Sequence, residues 1–578
     1  MKKELRIVRM LTHSIIMLIT ASLPLLSAAR ADAAPEVNGS KFSEPSQPVY
    51  EFKTINSYLR MADGERLAVT YYMPITKVHE KFPVIIEEVP YRKDDFFYIG
   101  DYEEGSYFAR RGYVFVRIDV RGTGGSTGPI PWREYSEDEI EDLVAVVGIL
   151  SKMPWSNGNV GMSGISWSAF NALMVASRKP PALKAIIGAH GSGDLFFNDI
   201  HYIDGVMHFD LYCQQIDTDN ALPASPAYST SGNFFTDRFN QTPWIFRYFK
   251  EQKDSDFWRQ ESVDFKPPLT VPAFLVGGLL DGYRDFVPKI FENSTAFVKG
   301  DIGPWNHAYP DYGKPGPNYD WYGRALRWWD YWLKGNDTGI LDEPRLMVYL
   351  RSGDNPATTP SETSGKWQTY DTWPIPGAGT AKYYPNNLHA LASAPPAPGT
   401  RHNLTYAAGA GMAGGGWWGE QTGDMSGDDK FSLVYDFNVG SEDIVVIGMP
   451  KVSLLISADA PGYNWTVRLE DVWPDNSVSL VSGGLINPLF RESRLNPKPL
   501  DADTETVING TIHFTTWTFK PGHKIRLAVS NAQFPMAWPT PNPGSTDLFH
   551  GADTWIELPL PPASPHPEPT LNEPCQGY

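Results

Sequence analysis

Apolar and polar residues follow one rule along the first part of the chain and another after about residue 345. In the first part, apolar positions gather into near-continuous runs of strand length. FPVIIEEV (82–89) and GYVFVRIDV (112–120) are two of them, and others recur at ALKAIIGAH (182–190), VPAFLVGG (271–278) and TAFVKGDI (295–302). Such a run predicts a strand covered on both faces, as in the interior of a mostly parallel sheet. MADGERLAVTYYMP (61–74) carries an Asp-Gly turn between two shorter strands. Helical signals lie between the runs. In SEDEIEDLVAVVGIL (136–150), Ile140, Leu143, Val144, Val147 and Leu150 share one helical face, and Ser136 with Glu139 has capping-box spacing. WYGRALRWWDYWLKG (321–335) predicts an aromatic helix ending at Gly335, with Trp328, Trp329 and Trp332 as a domain-packing face. Strand and helix alternating in this way predict an α/β domain.

Residues 191–268 interrupt the alternation. They are rich in Phe, Tyr, Trp and Asp and hold no sheet-core run, which predicts an inserted cap of helices and loops. The α/β domain is therefore expected in two pieces, 50–190 and 269–340. From 345 to 562 the pattern turns to period two. WTVRLEDVW (465–473) puts Trp465, Val467 and Leu469 on one face, KIRLAVS (524–530) alternates likewise, and TIHFTTWTF (511–519) runs into a Lys-Pro-Gly turn. Helical periods are scarce, so this part predicts an antiparallel β-sandwich. The Gly/Pro-rich tracts at 374–380, 394–400 and 408–416 are expected as long loops, and 563–578 as an extended proline-rich tail.

The 578 residues exceed what one core can hold, in line with several domains. Residues 1–31 predict a cleaved signal peptide. Lys2, Lys3, Arg6 and Arg9 precede a short apolar stretch, and Ala29-Arg30-Ala31 has the small-x-small form of a cleavage site. The protein is thus expected to be exported, to the periplasm or beyond, with no membrane attachment after cleavage. Removing this segment, with five basic residues and one acidic, takes the formal charge from −18 to −22. Such a chain is a poor partner for nucleic acid or anionic lipid. The two cysteines, Cys213 and Cys575, are permitted but not required to pair. CxxC and HExxH are absent, so neither a zinc site nor another cofactor is expected.

The candidate chemistry lies in NGNVGMSGISWSAFNAL (157–173). A nucleophile elbow is a tight strand-to-helix turn that projects a serine, and small neighbours let the helix start against the strand. Gly164-Ile165-Ser166-Trp167-Ser168-Ala169 meets the steric demand, although Ser168 replaces the second glycine of Gly-x-Ser-x-Gly. Ser163 is the local rival, but Ile165 is a branched neighbour unsuited to an elbow. A serine nucleophile needs a base, and the base an orienting acid. Asp281, just after one predicted strand, and His307, just after the next, fit the Ser, Asp, His chain order of α/β-hydrolases. His190 and His201 are alternatives that do not follow the acid in sequence.

These segments together resemble a known family. GMSGISW, DVRGTGGSTG (119–128), MPWSNGNVGMSG, VGGLLDGY and GPWNHAYPD are similar to the cocaine esterase-like hydrolases, which group with glutaryl-cephalosporin acylases, α-amino acid ester hydrolases and X-Pro dipeptidyl-peptidases. The resemblance spans about residues 55–560. It implies an α/β-hydrolase domain with a cap and a C-terminal jelly roll. It also implies Ser166 as nucleophile, His307 as general base and Asp281 as its partner. The oxyanion would be held by the Trp167 N–H and the hydroxyl of Tyr91, in VPYRKDD. The family usually has Tyr and Gly where this chain has Trp167 and Ala169. The amino acid ester hydrolases also carry carboxylates just after the catalytic Asp, where this chain has Gly282, Tyr283 and Arg284.

The expected activity is hydrolysis of a small-molecule carboxylic ester through an acyl-enzyme. Phe196, Phe197 and Tyr202 of the cap are candidates for an apolar acyl pocket, with plain core packing the alternative. A second reading keeps the triad and cleaves amides, as an acylase or dipeptidyl-peptidase; Asp194, Asp199, Asp204 and Asp210 would then supply carboxylates for a substrate amine. A third makes the sandwich a glycan binder on a silent scaffold, with Trp417, Trp418 and Trp473 as sugar platforms.

Overall fold

The computed structural model describes residues 45–574 apart from 96, 209–211, 213–215, 217–220, 231, 419–421 and 543. The expected signal peptide, both cysteines and Asp210 lie outside the described residues.

One ten-stranded sheet organises the first half. In chain order its strands are β1 (Glu51–Arg60), β2 (Arg66–Ile75), β3 (Phe82–Val89), β4 (Val114–Asp119), β5 (Ser156–Met162), β6 (Leu183–Ala189), β7 (Ala273–Gly278), β8 (Val298–Gly303), β9 (Leu346–Arg351) and β10 (Gly365–Tyr370). The spatial order is β1-β2-β4-β3-β5-β6-β7-β8-β9-β10. Strands β4 through β9 run parallel to their neighbours, and the outer pairs are antiparallel. The apolar runs form its centre for the reason the pattern gives: β3 and β4 are buried at every position. Val84, Ile86, Val114, Val116 and Ile118 face one core with helices α2 (Glu137–Leu150) and α3 (Trp167–Arg178). Ile85 and Phe115 face the other, with α1 (Tyr98–Arg110) and α5 (Trp321–Trp329); α4 (Phe286–Glu292) returns to the first. Trp328 and Trp329 lie in this second core, so they pack the helix onto its own sheet rather than onto another domain.

The sheet continues past residue 345, where the sequence pattern begins its sandwich. Strand β9 adds in parallel to β8, and β10 closes the edge antiparallel to β9. The sandwich proper follows, with Trp465–Val472 between Lys524–Ser530 and Val478–Ile486 in one sheet and Lys451–Ala458 central to the other. Trp465, Val467 and Leu469 fill its core as their alternation predicts. The opposite face is buried as well, because Arg468 is paired with Glu470 (2.7 Å) and Asp429 (3.1 Å). The tail runs back along β10, where Glu568 accepts from the Trp367 N–H (2.9 Å).

Among the described residues the cap forms the short helices Phe234–Phe239, Trp244–Tyr248 and Asp256–Arg259 and a two-strand ladder at Tyr202–Ile203 and Val206–Met207. No helix among the described residues is long and apolar enough to cross a membrane.

Candidate active site

The sheet delivers the candidate residues at consecutive strand ends. In spatial order, Tyr91 follows β3, Ser166 follows β5, His190 follows β6, Asp281 follows β7 and His307 follows β8. The order of connection reverses at β3 and β5, and this carboxyl edge is where an open α/β sheet gathers a site.

Ser166 occupies a forced turn. Its backbone has φ +58° and ψ −120°, in a region other L residues avoid, and it caps α3 without a side-chain cap bond. The turn is pinned by the Ser166 N–H on the Ala189 carbonyl (2.9 Å) and by the Ala169 N–H on the Ser166 carbonyl (2.8 Å). Small residues are needed on both sides, since a Cβ at Gly164 would overlap the Cβ of Ser168. Ser168 serves in place of glycine because its buried hydroxyl donates to the Glu88 carbonyl (2.6 Å). Trp167 is the first helical residue, so its N–H is among those with no acceptor inside the helix. Its indole is buried behind the elbow and donates to Glu139 Oε1 (2.6 Å). The capping box is therefore half formed: Ser136 Oγ accepts from the Glu139 N–H (3.4 Å), while the Glu139 carboxyl turns to Trp167 and to Asn171 (2.9 Å). Burial pushes that carboxyl up to about 8.

The hydroxyl of Tyr91 is hydrogen-bonded to the hydroxyl of Tyr212 and lies close to Ser166. Burial raises its pKa far above the ordinary phenol value, so it stays protonated and can donate. Tyr212 escaped the sequence reading. It sits in the cap segment that has no periodicity, and no motif marks it.

His307 Nδ1 lies 3.0 Å from Asp281 Oδ2. Asp281 is buried, and His307 keeps 36% of its side chain exposed. Burial alone would raise the Asp281 carboxyl, but His307 and His190 beside it hold it well below the usual carboxylate range. His190 is also on Asp281 Oδ2, through Nδ1. The ring of Tyr283 bridges the two halves, 5.5 Å from Phe170 on the elbow helix and 5.9 Å from His307 between centroids. Thus Ser166 lies beside Tyr91, and Asp281 is bonded to His307, along one sheet edge. Ser163 is buried at the end of β5 and bonds through its N–H to Ile86. His201 is occupied by Glu134 in the cap.

The ligand atoms of His190, Asp281 and His307 lie within 4.8 Å of one another, the one grouping among the described residues with metal-like spacing. A metal would have to displace the bonds His190 makes through both nitrogens, to Asp281 and to the Ala308 carbonyl (2.9 Å).

Other candidates fall elsewhere. Phe196 and Tyr202 are buried and stack on each other (4.9 Å), with Trp258 and Phe490 packed against Phe196. Phe197 lies half-buried beneath Arg494, 3.7 Å from its ring centroid. Asp194 is paired with Arg494 and Asp204 with His513, while Asp199 accepts from the Tyr283 hydroxyl (3.0 Å). Trp418 is fully buried and offers no face to a sugar. Trp473 donates to Ser479 Oγ (2.9 Å). Trp417 instead reaches the site: its ring lies 4.6 Å from Tyr283 and 6.3 Å from His307, and Gly282 makes room for it. One side of the site is therefore closed by a loop preceding the main sandwich strands.

Comparison with known proteins agrees with this architecture. Residues 63–309 match the model of the X-Pro dipeptidyl-peptidase (S15 family), and residues 338–558 match the X-Pro dipeptidyl-peptidase C-terminal non-catalytic domain. Cocaine esterase of Rhodococcus sp. is 24% identical over 546 residues, covering 83% of this chain and 91% of that one. A Bacillus anthracis protein provisionally named an Xaa-Pro dipeptidyl-peptidase is 23% identical over 512 residues, covering 81% and 80%. A CocE/NonD family hydrolase from Staphylococcus aureus superposes with a TM-score of 0.69 at 19% identity, over 88% of this chain and 94% of its own. An α-amino acid ester hydrolase does so with a TM-score of 0.67 at 19% identity, over 92% and 100%. Residues 63–309 thus form an S15-family domain and residues 338–558 its C-terminal companion domain, and the chain is a serine hydrolase similar to cocaine esterase and the X-Pro dipeptidyl-peptidases.

Proposed function

We propose that the protein hydrolyses carboxylic esters of small molecules through an acyl-enzyme, with Ser166 as nucleophile, His307 as general base and Asp281 as its orienting acid. The observation that carries this reading is the strained Ser166 at the head of α3, on the same sheet edge as the Asp281–His307 pair. Asp281 accepts the Nδ1 proton of His307 and so leaves Nε2 as the basic nitrogen. His307 takes the Ser166 proton as Oγ attacks the ester carbonyl. The Tyr91 hydroxyl and the Trp167 N–H donate to the oxyanion. Collapse expels the alcohol, which receives the proton from His307. Water activated by the same nitrogen then releases the acid and restores Ser166.

Ester rather than amide cleavage is favoured because three of the cap acids expected to hold a substrate amine have other partners: Asp194 pairs with Arg494, Asp204 with His513, and Asp199 accepts from Tyr283. The triad serves an Xaa-Pro peptide equally well in principle, so an anilide is the discriminating substrate. Turnover of p-nitrophenyl butyrate is expected to exceed that of an Xaa-Pro p-nitroanilide. Ser166→Ala should lower the ester rate by about a millionfold. A Ser166→Ala protein that hydrolyses the ester at the parent rate would end this reading, and preference for the anilide would move it to a dipeptidyl-peptidase. Residues 1–31 support action outside the cytoplasm; amino-terminal sequencing of the exported protein, beginning at Asp32, is the check.

A further inference from the structure

The Asp281 carboxylate carries a second imidazole for which ester hydrolysis has no stated use. His190 is fully buried, with 0% of its side chain exposed. Its Nε2 lies 2.9 Å from the Ala308 carbonyl oxygen. A carbonyl has no hydrogen to give, so Nε2 carries one. Its Nδ1 meets Asp281 Oδ2, the oxygen that His307 Nδ1 also contacts at 3.0 Å. An ionised carboxylate likewise only accepts, so Nδ1 carries a hydrogen too. An imidazole protonated at both nitrogens is a cation.

The fold makes a place for this ring. His190 has φ +50°, a left-handed conformation that few residues besides glycine and asparagine adopt readily. Its N–H is fixed on the Val276 carbonyl (2.9 Å). The ring lies against Gly278, where a Cβ would come 2.9 Å from His190 Cε1. Because β6 pairs with β7, the residue after β6 falls beside the residues that follow β7.

The charged and titratable neighbours of the pair are few. His307 faces it from beyond β8, with ring centroids 5.2 Å apart. Tyr283 and Arg284 face it from the turn after β7; the Tyr283 hydroxyl is committed to Asp199, and Arg284 to the Leu279 carbonyl and Ser482. Asp285, next along, is held by His513.

We propose that His190 is kept as an imidazolium that neutralises Asp281, so that His307 works beside a carboxylate whose charge is already matched. The inference rests on the Ser166–Asp281–His307 reading and makes His190 a positioning residue that acts through Asp281. A bare carboxylate in contact typically raises a histidine's proton affinity by about one to three pH units. The His190 cation offsets that pull. His307 therefore remains neutral, and competent as a base, at lower pH than an unmatched carboxylate would allow.

Two measurements test it. In His190→Asn, which keeps a residue tolerant of positive φ, the acidic limb of the kcat/KM profile should move up by about one pH unit or more. A merely structural role would lower the plateau and leave the limb in place, which would overturn the proposal. In the unaltered protein with 15N-labelled histidine, both ring nitrogens of His190 should give protonated-type signals at neutral pH. An unprotonated nitrogen at neutral pH would also overturn it. The nitrogen signals need no turnover, so they are separable from the Ser166 assignment: loss of the latter would show as full activity in Ser166→Ala.

Discussion

Replacing Tyr91 by phenylalanine removes one hydroxyl at the elbow and leaves the ring, with its contacts to Phe97 and Trp167, in place. The hydroxyl has one hydrogen to give. For that hydrogen to reach the oxyanion, the bond between the two tyrosine hydroxyls must run from Tyr212 to Tyr91, with Tyr91 accepting. Burial keeps both phenols neutral and makes this arrangement available. Losing an oxyanion donor costs about 2.7–4 kcal/mol, or about two to three orders of magnitude in kcat. Losing the bond that orients that donor costs about 0.5–1.5 kcal/mol, roughly twofold to tenfold. Tyr91→Phe should thus lower kcat on p-nitrophenyl butyrate by about 100- to 1000-fold with little change in KM. Tyr212→Phe should lower it by less than about tenfold. Because Tyr212 acts through Tyr91, the double variant should be no slower than Tyr91→Phe alone. A Tyr91→Phe enzyme within about threefold of the parent, or fully additive effects in the double variant, would refute the oxyanion assignment.

Two further expectations concern pH. Burial lowers the His513 pKa, but the flanking Asp204 and Asp285 outweigh it and raise it to about 10. The stability contributed by its charge is full below about pH 6.5, the unfolded value, and is lost as pH rises through 10. This residue ties the sandwich to both the cap and the turn after β7. His513→Gln should cost roughly 3–5 kcal/mol near neutral pH, the cost of breaking a buried pair. Thermal unfolding from pH 6 to 10.5 should show the gap to the parent closing at the alkaline end; a gap independent of pH would contradict the pairing. Glu139 has the opposite sign, a carboxyl whose folded pKa is raised to about 8. It withdraws stability as pH climbs from about 4.5 to 8, so Glu139→Gln should melt above the parent at pH 9 and level with it at pH 4.5. A variant melting below the parent at pH 9 would count against a protonated Glu139.

Much of this architecture was legible in the sequence because it rests on local pattern. The runs at β3 and β4 announce strands covered on both faces, and Gly164 with Ser168 announces an elbow because larger side chains would collide at those two positions. Asp281 and His307 were found by chain order, a rule that says nothing of sheet order. His190 ranks only as an alternative for that reason: it precedes the acid in sequence, and its contact depends on β6 lying beside β7. Strand β9, a buried apolar run, and β10 extend the α/β sheet past residue 345, although the match to the C-terminal domain begins at 338; sequence pattern does not say which sheet a strand joins. Phe196 and Tyr202 illustrate a different limit: an aromatic cluster in a cap has one composition whether it lines a pocket or fills a core. Arg468 and Glu470 lie on the face opposite Trp465, Val467 and Leu469, and their mutual pairing, with the Arg468–Asp429 bridge, explains their burial.

The most direct test of Ser166 as an activated nucleophile is trapping. Treatment of the folded protein with a fluorophosphonate, followed by peptide mass mapping, should place a single phosphonyl adduct on Ser166, and His307→Ala should label far more slowly. An unmodified Ser166, or an adduct on Ser163 with Ser166 untouched, would contradict the account.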